Sequence, residues 1–203
     1  MRMKLIGQYD SPFTRRIGIT MTLYGLAFEH NTWSVFGNAD ELGAINPLIR
    51  VPTLVLDTGE ALIETAAIVD YLDSLVPPDK RLLPQQHPER YRNQYVVGLA
   101  SGVSDMAVRL FYEQRLHDVP TEAYVARLTK QITQTLDVLE QRLPRSGPMT
   151  QADIAITCMY RHLSECHPTL TAKDRYPAIE KHCAAHEAQQ VFIDISQAFI
   201  APA

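Results

Sequence analysis

The pattern of apolar and polar positions changes character along the chain: up to about residue 76 its period keeps switching, and beyond about residue 88 it stays helical. Lys4 to Tyr9 is a short apolar run of strand length. From Phe13 to Gly25 the residues Ile17, Met21 and Tyr24 share one helical face, and Gly25 ends the segment. Phe28 to Trp33 reads as a second strand, and Ala39 to Ile45 as a short helix stopped by Asn46-Pro47. Thr53 to Leu56, a turn at Asp57-Thr58-Gly59 and Ala61 to Ile63 make a hairpin. Glu64 to Leu75 carries Ile68, Leu72 and Leu75 at helical spacing and stops before Pro77-Pro78. The expected order is β-α-β-α-β-β-α.

Residues 77 to 88, PPDKRLLPQQHP, hold four prolines and little periodicity, the composition of a link between domains. Amphipathic helices are then expected at Glu89 to Leu116, Thr121 to Leu143, Ala152 to Cys166, Tyr176 to His186 and Ala188 to Phe199. The pattern divides the chain into an α/β domain over 1–78, a linker over 79–88 and an all-α domain over 89–203. Thr150 and Asp153 form a capping-box pair at the third bundle helix, with Met149 and Ile154 as its hydrophobic staple. That position assigns Asp153 to structure, although a carboxylate before an apolar run also suits catalysis.

A chain of 203 residues, 46% hydrophobic and 21% charged, has the composition of a folded protein. No window reaches the ~18 apolar residues of a membrane span, and the apolar stretch near the N-terminus is too short for a secretory leader. Residues 1–80 carry a net charge of −4 and residues 81–203 a net of 0, so neither half offers the basic stripe of a nucleic-acid binder. Three cysteines without a C-x-x-C pair fit a reducing cytoplasm. Cys158, His162 and Cys166 share a helix face, but the first and last lie ~12 Å apart at the helical rise, too far to hold one ion. They are read as core residues, and no metal is expected.

Candidate chemistry lies in the first half. Ser11-Pro12-Phe13 ends a strand and opens a helix, so Ser11 stands among unpaired N–H groups at a positive helix end. The plainer reading makes Ser11 a cap and Pro12 the first helical residue. Arg50-Val51-Pro52 precedes a strand, where a proline, in cis geometry if it turns the chain sharply, exposes the Val51 backbone to an extended peptide. Glu64-Thr65 puts a carboxylate and a hydroxyl at a second helix start. Two helix ends for anions, an exposed backbone and a carboxylate for an amine suit a small peptide with a free amine and several negative charges. Arg15 and Arg16 are candidates for added positive potential.

SPFTRR at 11–16, NPLIRVPTL at 46–54, LIETAAIVDYL at 62–72, the proline-rich link and TQAD at 150–153 occur in the order and spacing of a known family. Over essentially its whole length the chain resembles the glutathione S-transferases, and within them the serine-type bacterial members. The resemblance implies a thioredoxin-like N-terminal domain, an all-α helical C-terminal domain, a homodimer, and glutathione as co-substrate bound mainly by the first domain. By position, Ser11 would face the glutathione sulfur, beside Phe13. Val51 would pair its backbone with the cysteinyl part, Pro52 would be the cis-proline, and Glu64 and Thr65 would hold the γ-glutamyl end. Arg50 would lie near the glycyl carboxylate. Thr65 stands where serine is usual and Arg50 where lysine is commoner.

Tyr9 is the alternative thiol activator, because strand alternation would place it on the face of Ser11. The small hydrophobic electrophile is expected between the domains, near Phe13, Tyr9 and the helix residues Met106, Arg109, Leu110, Tyr112 and Glu113; such a stripe also suits bundle core. A serine at position 11 favours conjugation over disulfide exchange, which needs a cysteine there. Related glutathione-dependent isomerases, reductases and dehalogenases share the family. The competing reading is a transferase-like binding or regulatory protein, against which Ser11, Val51-Pro52 and Glu64 weigh. No nucleic-acid or membrane partner is expected.

Overall fold

Four short strands at the start of the chain pair in the order β2-β1-β3-β4. In the computed structural model, which describes residues 2–143 and 147–200, β1 is Met3–Ile6, β2 Phe28–Asn31, β3 Thr53–Val55 and β4 Ala61–Ile63. β1 runs parallel to β2 and antiparallel to β3, and β3 to β4 is antiparallel. Helix α1 (Pro12–Leu23) connects the parallel pair, α2 (Ala39–Gly43) precedes β3, and α3 (Thr65–Ser74) follows the hairpin. This is the expected β-α-β-α-β-β-α order, a thioredoxin-like sheet with its helices.

The apolar positions explain the packing. Leu5 and Leu54 from the sheet meet Ile17 and Met21 of α1 and Ile68, Val69 and Leu72 of α3 in one buried cluster. Burying each such side chain contributes roughly 1.5–3 kcal/mol, which outweighs the modest propensity of strands only three or four residues long.

The chain divides into two compact units, with the boundary between Gln85 and Gln86 and a return to the first unit from Gln190. Both points differ from the expected division. Residues 79–85 go with the α/β unit because Leu83 is buried in its core and the Leu82 N–H donates to the Tyr24 hydroxyl at 2.8 Å. That hydroxyl in turn donates to Asp73.

The expected helix over 188–199 is instead a short one, α8 (Gln190–Asp194), and it belongs to the α/β unit. Its anchor is Arg15, only 2% exposed, whose guanidinium donates to the carbonyls of Ile195 (2.8 Å) and Phe192 (2.9 Å) and lies over the Phe192 ring. A cation at a helix C-terminus satisfies carbonyls that the helix cannot. Arg15 is therefore spent on structure, and Arg16 is buried as well.

The second unit consists of α4 (Glu89–Leu116), α5 (Glu122–Glu140), α6 (Gln151–Cys166) and α7 (Pro177–Glu187). Val103, Leu110, Leu128, Ile132, Leu136, Ile156, Met159 and Ile179 form its core. The expected capping box stands at the start of α6: the Asp153 carboxylate accepts from the Thr150 N–H (2.8 Å) and hydroxyl (2.6 Å), while Asn93 of α4 donates to the same hydroxyl (2.8 Å). Glu140 does the same for α7, accepting from the N–H groups of Ala178 (2.7 Å) and Ile179 (2.9 Å). Cys158 and Cys183 are buried in this unit. Among the described residues no helix is long and apolar enough to cross a membrane.

Candidate functional site

Three chain segments of the α/β unit meet around Gly7. Its φ of +132° suits glycine, and a Cβ there would lie 2.5 Å from Thr14 Oγ1 of α1 and 2.8 Å from Val51 Cβ. Only a residue without a side chain lets the end of β1, the start of α1 and the loop before β3 approach so closely. Gly7 also donates its N–H to the Asn31 carbonyl at 2.9 Å and accepts from the His30 ring at 2.7 Å.

Ser11 is the N-cap of α1, with extended backbone (φ −68°, ψ 122°), and Pro12 opens the helix. Its Oγ accepts from the Thr14 N–H at 3.3 Å. A hydroxyl that accepts from its own helix keeps its proton for a second partner, so capping and donating to a ligand are compatible. The side chain is half-buried, and the first turn of α1 carries no acidic residue to neutralise the helix end. Phe13, half-buried, is the second residue of this turn.

Tyr9 lies elsewhere. β1 ends at Ile6 and a turn follows, with the Ser11 N–H bonded to the Gln8 carbonyl, so the strand alternation that would pair Tyr9 with Ser11 does not extend that far. The Tyr9 ring is buried, stacked on His30 with centroids 3.8 Å apart and packed over Gly18. Burial pushes its phenol up to about 12, away from ionisation at neutral pH.

The loop before β3 is organised by Asn46, which is 1% exposed and which the sequence marked only as a helix stop and the first residue of a motif. Its Nδ2 donates to the Arg50 carbonyl (3.0 Å) and to Thr53 Oγ1 (2.9 Å), while its Oδ1 accepts from the Leu48 N–H (3.0 Å). These bonds hold the chain through the cis peptide between Val51 and Pro52. Strand pairing begins at Thr53, so Val51 precedes the ladder.

Of the three non-glycine residues with positive φ among the described residues, Ile49 (49°) and Glu64 (69°) flank this loop and the start of α3. Left-handed backbone at a β-branched or acidic residue costs about 1–3 kcal/mol and is found most often at functional sites. Glu64 is the N-cap of α3, yet its side chain makes no cap hydrogen bond, and the first turn holds no acid. The N–H groups of this turn, with the half-buried Thr65 hydroxyl, form a socket for an anion. The Glu64 carboxylate is exposed and meets Arg50 Nη1 at 3.5 Å. An exposed pair of this kind contributes no more than about 1 kcal/mol, so a zwitterion that offers each partner an opposite charge can replace it at small cost.

The residues nominated for the second substrate lie on α4. Met106 packs partly buried against the bundle core, Arg109 pairs with Asp105 at 2.9 Å, and Tyr112 is half-buried beside Phe111. Glu113 accepts from the Thr121 N–H at 2.7 Å and so fixes the turn into α5; that bond holds its carboxyl below the usual range.

A thioredoxin-like α/β unit and a helical unit, with a cis-proline loop before the third strand, are what the sequence resemblance implied. Family models agree: the glutathione S-transferase N-terminal domain matches residues 5–89 and the C-terminal domain residues 122–185. The chain is 30% identical to the uncharacterized GST-like protein YibF of Escherichia coli, over 80% of this chain and 82% of that one. A glutathione S-transferase of Methylobacterium radiotolerans, solved with glutathione sulfonate, superposes with a TM-score of 0.90 at 26% identity over the whole of both chains. One from Methylobacillus flagellatus with glutathione bound has a TM-score of 0.88 at 26% identity, covering 96% of this chain and 98% of that one. The protein therefore belongs to the glutathione S-transferase family of enzymes.

Proposed function

We propose that the protein is a glutathione transferase of the serine type, in which Ser11 stabilises the glutathione thiolate for attack on a small hydrophobic electrophile. The observation that carries this reading is the state of Ser11: an N-cap whose oxygen already accepts from Thr14, before a first helical turn that holds no acidic residue. A free thiol with a pKa of about 8.5 is only about 3% thiolate at pH 7. A hydrogen bond to the charged sulfur, roughly 1.5–3 kcal/mol, lowers that pKa by about one to two units. The helix dipole acts in the same direction.

In the reaction the thiol proton leaves to solvent and the sulfur lone pair forms the new S–C bond. The electron pair displaced from the electrophile departs with a leaving group or moves onto its activating group. Ser11 acts throughout as a donor and forms no covalent bond. The buried Tyr9, whose phenol is held above its usual value, supports Ser11 over Tyr9 as that donor.

The rest of the tripeptide is assigned by chemistry. The Val51 main chain would pair with the cysteinyl unit, ordered by Asn46 and Pro52. The uncapped start of α3 and the Thr65 hydroxyl would take the γ-glutamyl carboxylate, Glu64 its ammonium, and Arg50 the glycyl carboxylate. The same reading includes a homodimer, and a reducing cytoplasm in keeping with Cys158, Cys166 and Cys183, which form no disulfide.

Calorimetric titration of the chain with glutathione is the test. The expected result is saturable binding of one glutathione per chain, with much weaker binding of cysteinylglycine, which lacks the γ-glutamyl group. Absence of saturable binding would instead make the chain a transferase-like binding or regulatory protein.

A further inference from the structure

Asp153, His182 and His186 bring three metal-ligating side chains together in the helical unit, separate in sequence from every proposed glutathione contact. One ligand atom from each lies within 4.8 Å of the other two. The two histidines are four residues apart on α7 and so share a face, and Asp153 belongs to the first turn of α6. His182 Nε2 and Asp153 Oδ1 are 3.7 Å apart. That exceeds a hydrogen bond and is close to the spacing of about 3.4 Å between two ligands bonded at about 2.0–2.1 Å to a tetrahedral ion.

The orientation of each group fits the same purpose. His186 Nδ1 meets the His182 carbonyl at 2.8 Å. A carbonyl only accepts, so the proton sits on Nδ1 and Nε2 carries the lone pair a metal needs; such a bond commonly fixes the tautomer of ligating histidines. Asp153 Oδ2 is held by the N–H and hydroxyl of Thr150, which orients the carboxylate with Oδ1 on the His182 side. Asp153 and His182 are buried and His186 is half-buried.

We propose that Asp153, His182 and His186 form a binding site for zinc or a chemically similar late first-row divalent ion, with three protein ligands and one solvent ligand. Two imidazoles and one carboxylate select such an ion over the hard cations calcium and magnesium, which prefer all-oxygen shells. Because Asp153 also caps α6, the ion would tie the start of α6 to α7 and strengthen the bundle.

The test uses the full chain, stripped of metal with a chelator and then titrated with Co²⁺ and with Zn²⁺. The expected result is one Co²⁺ per chain with the visible bands of a four-coordinate nitrogen and oxygen site, displaced by Zn²⁺. Zn²⁺ should raise the melting temperature reversibly and shift the imidazole resonances of two of the seven histidines. In His186→Gln the affinity should fall by at least about 10-fold, the lower bound for losing even an orienting partner of a ligand, and the thermal shift at a fixed Zn²⁺ concentration should shrink accordingly. Asp153 stays native in this experiment because its loss would also remove the α6 cap. Failure to bind one equivalent, thiolate charge-transfer bands that place the ion on cysteine, resonance shifts at other histidines, or unchanged affinity in His186→Gln would each overturn the proposal. The parent-chain spectra decide it even where the variant fails to fold.

Discussion

Helices α3 and α6 begin in opposite ways. At α6 the N-cap Thr150 has extended backbone, Asp153 answers it from the first turn, and Asn93 bonds the threonine hydroxyl from α4. Every contact there is internal, and Asp153 is 4% exposed. At α3 the N-cap Glu64 sits in left-handed backbone, its side chain does not close the helix end, and its carboxylate is exposed beside Arg50. The same elementary feature, a turn of orphan N–H groups, is filled by the protein in one unit and is proposed to take a ligand in the other. Stability and recognition should therefore respond in opposite senses to losing the carboxylate at each end.

The largest effect is expected at Glu64. Glu64→Gln keeps the shape but removes the charge proposed to meet the ligand ammonium, a loss of roughly 1.5–3 kcal/mol or about 10- to 150-fold in glutathione affinity. The γ-glutamyl end is remote from sulfur, so the change should appear in KM more than in kcat. Stability should hardly move, because the Arg50 pair is exposed. Calorimetry and a denaturant melt check both halves; an affinity within about twofold of the parent would make Glu64 a mere helix-start residue.

Asp153→Ala should do the reverse. In the metal-free protein it should lower stability by about 2 kcal/mol, the upper end for lost caps, because the carboxylate is buried and its removal orphans the Thr150 N–H. For a chain of this size that is a fall of roughly 4–8 °C in Tm. Turnover per folded molecule should be unchanged, and lost turnover at an unchanged Tm would reverse the assignment.

The sequence carried this contrast only in part. The capping box was legible because Thr150 and Asp153 are three residues apart and both contacts are local. The chemistry proposed for Ser11, Val51 and Glu64 was read from motifs, but the residues that support them were not. Asn46 acts through bonds to Arg50, Leu48 and Thr53, and Gly7 through the approach of Thr14 and Val51, which the sequence pattern does not mark. The long helix expected over 188–199 failed for a related reason. Apolar spacing fitted a bundle helix, whereas the segment docks on the α/β unit through Arg15, a residue read as a source of positive potential. Tyr9 was placed by strand alternation, which stops where β1 ends at Ile6.

A smaller effect is expected at Tyr9. Its phenol is held at about 12 in the folded chain against an ordinary value of about 10. Between those values the unfolded chain has lost the proton and the folded chain retains it, so stability falls as pH rises from about 10 to about 12 and is unaffected below. In a series of denaturant melts Tyr9→Phe should make that alkaline decline shallower without abolishing it, because burial also raises Tyr24, Tyr160 and Tyr176, while the pKa of bound glutathione stays unchanged on titration. A decline as steep in the variant as in the parent would assign it to other tyrosines, and a shifted glutathione pKa would return Tyr9 to the chemistry.

The most direct measurement is the ultraviolet titration of glutathione bound to the parent chain and to Ser11→Ala, following thiolate absorption from about pH 5 to about pH 9 around the free thiol value. With Ser11 as the donor, the midpoint in the parent lies below the free thiol value and moves up by about one to two units in the variant, with the fold retained. Identical midpoints in the two proteins would contradict that role and leave Ser11 as a helix cap alone.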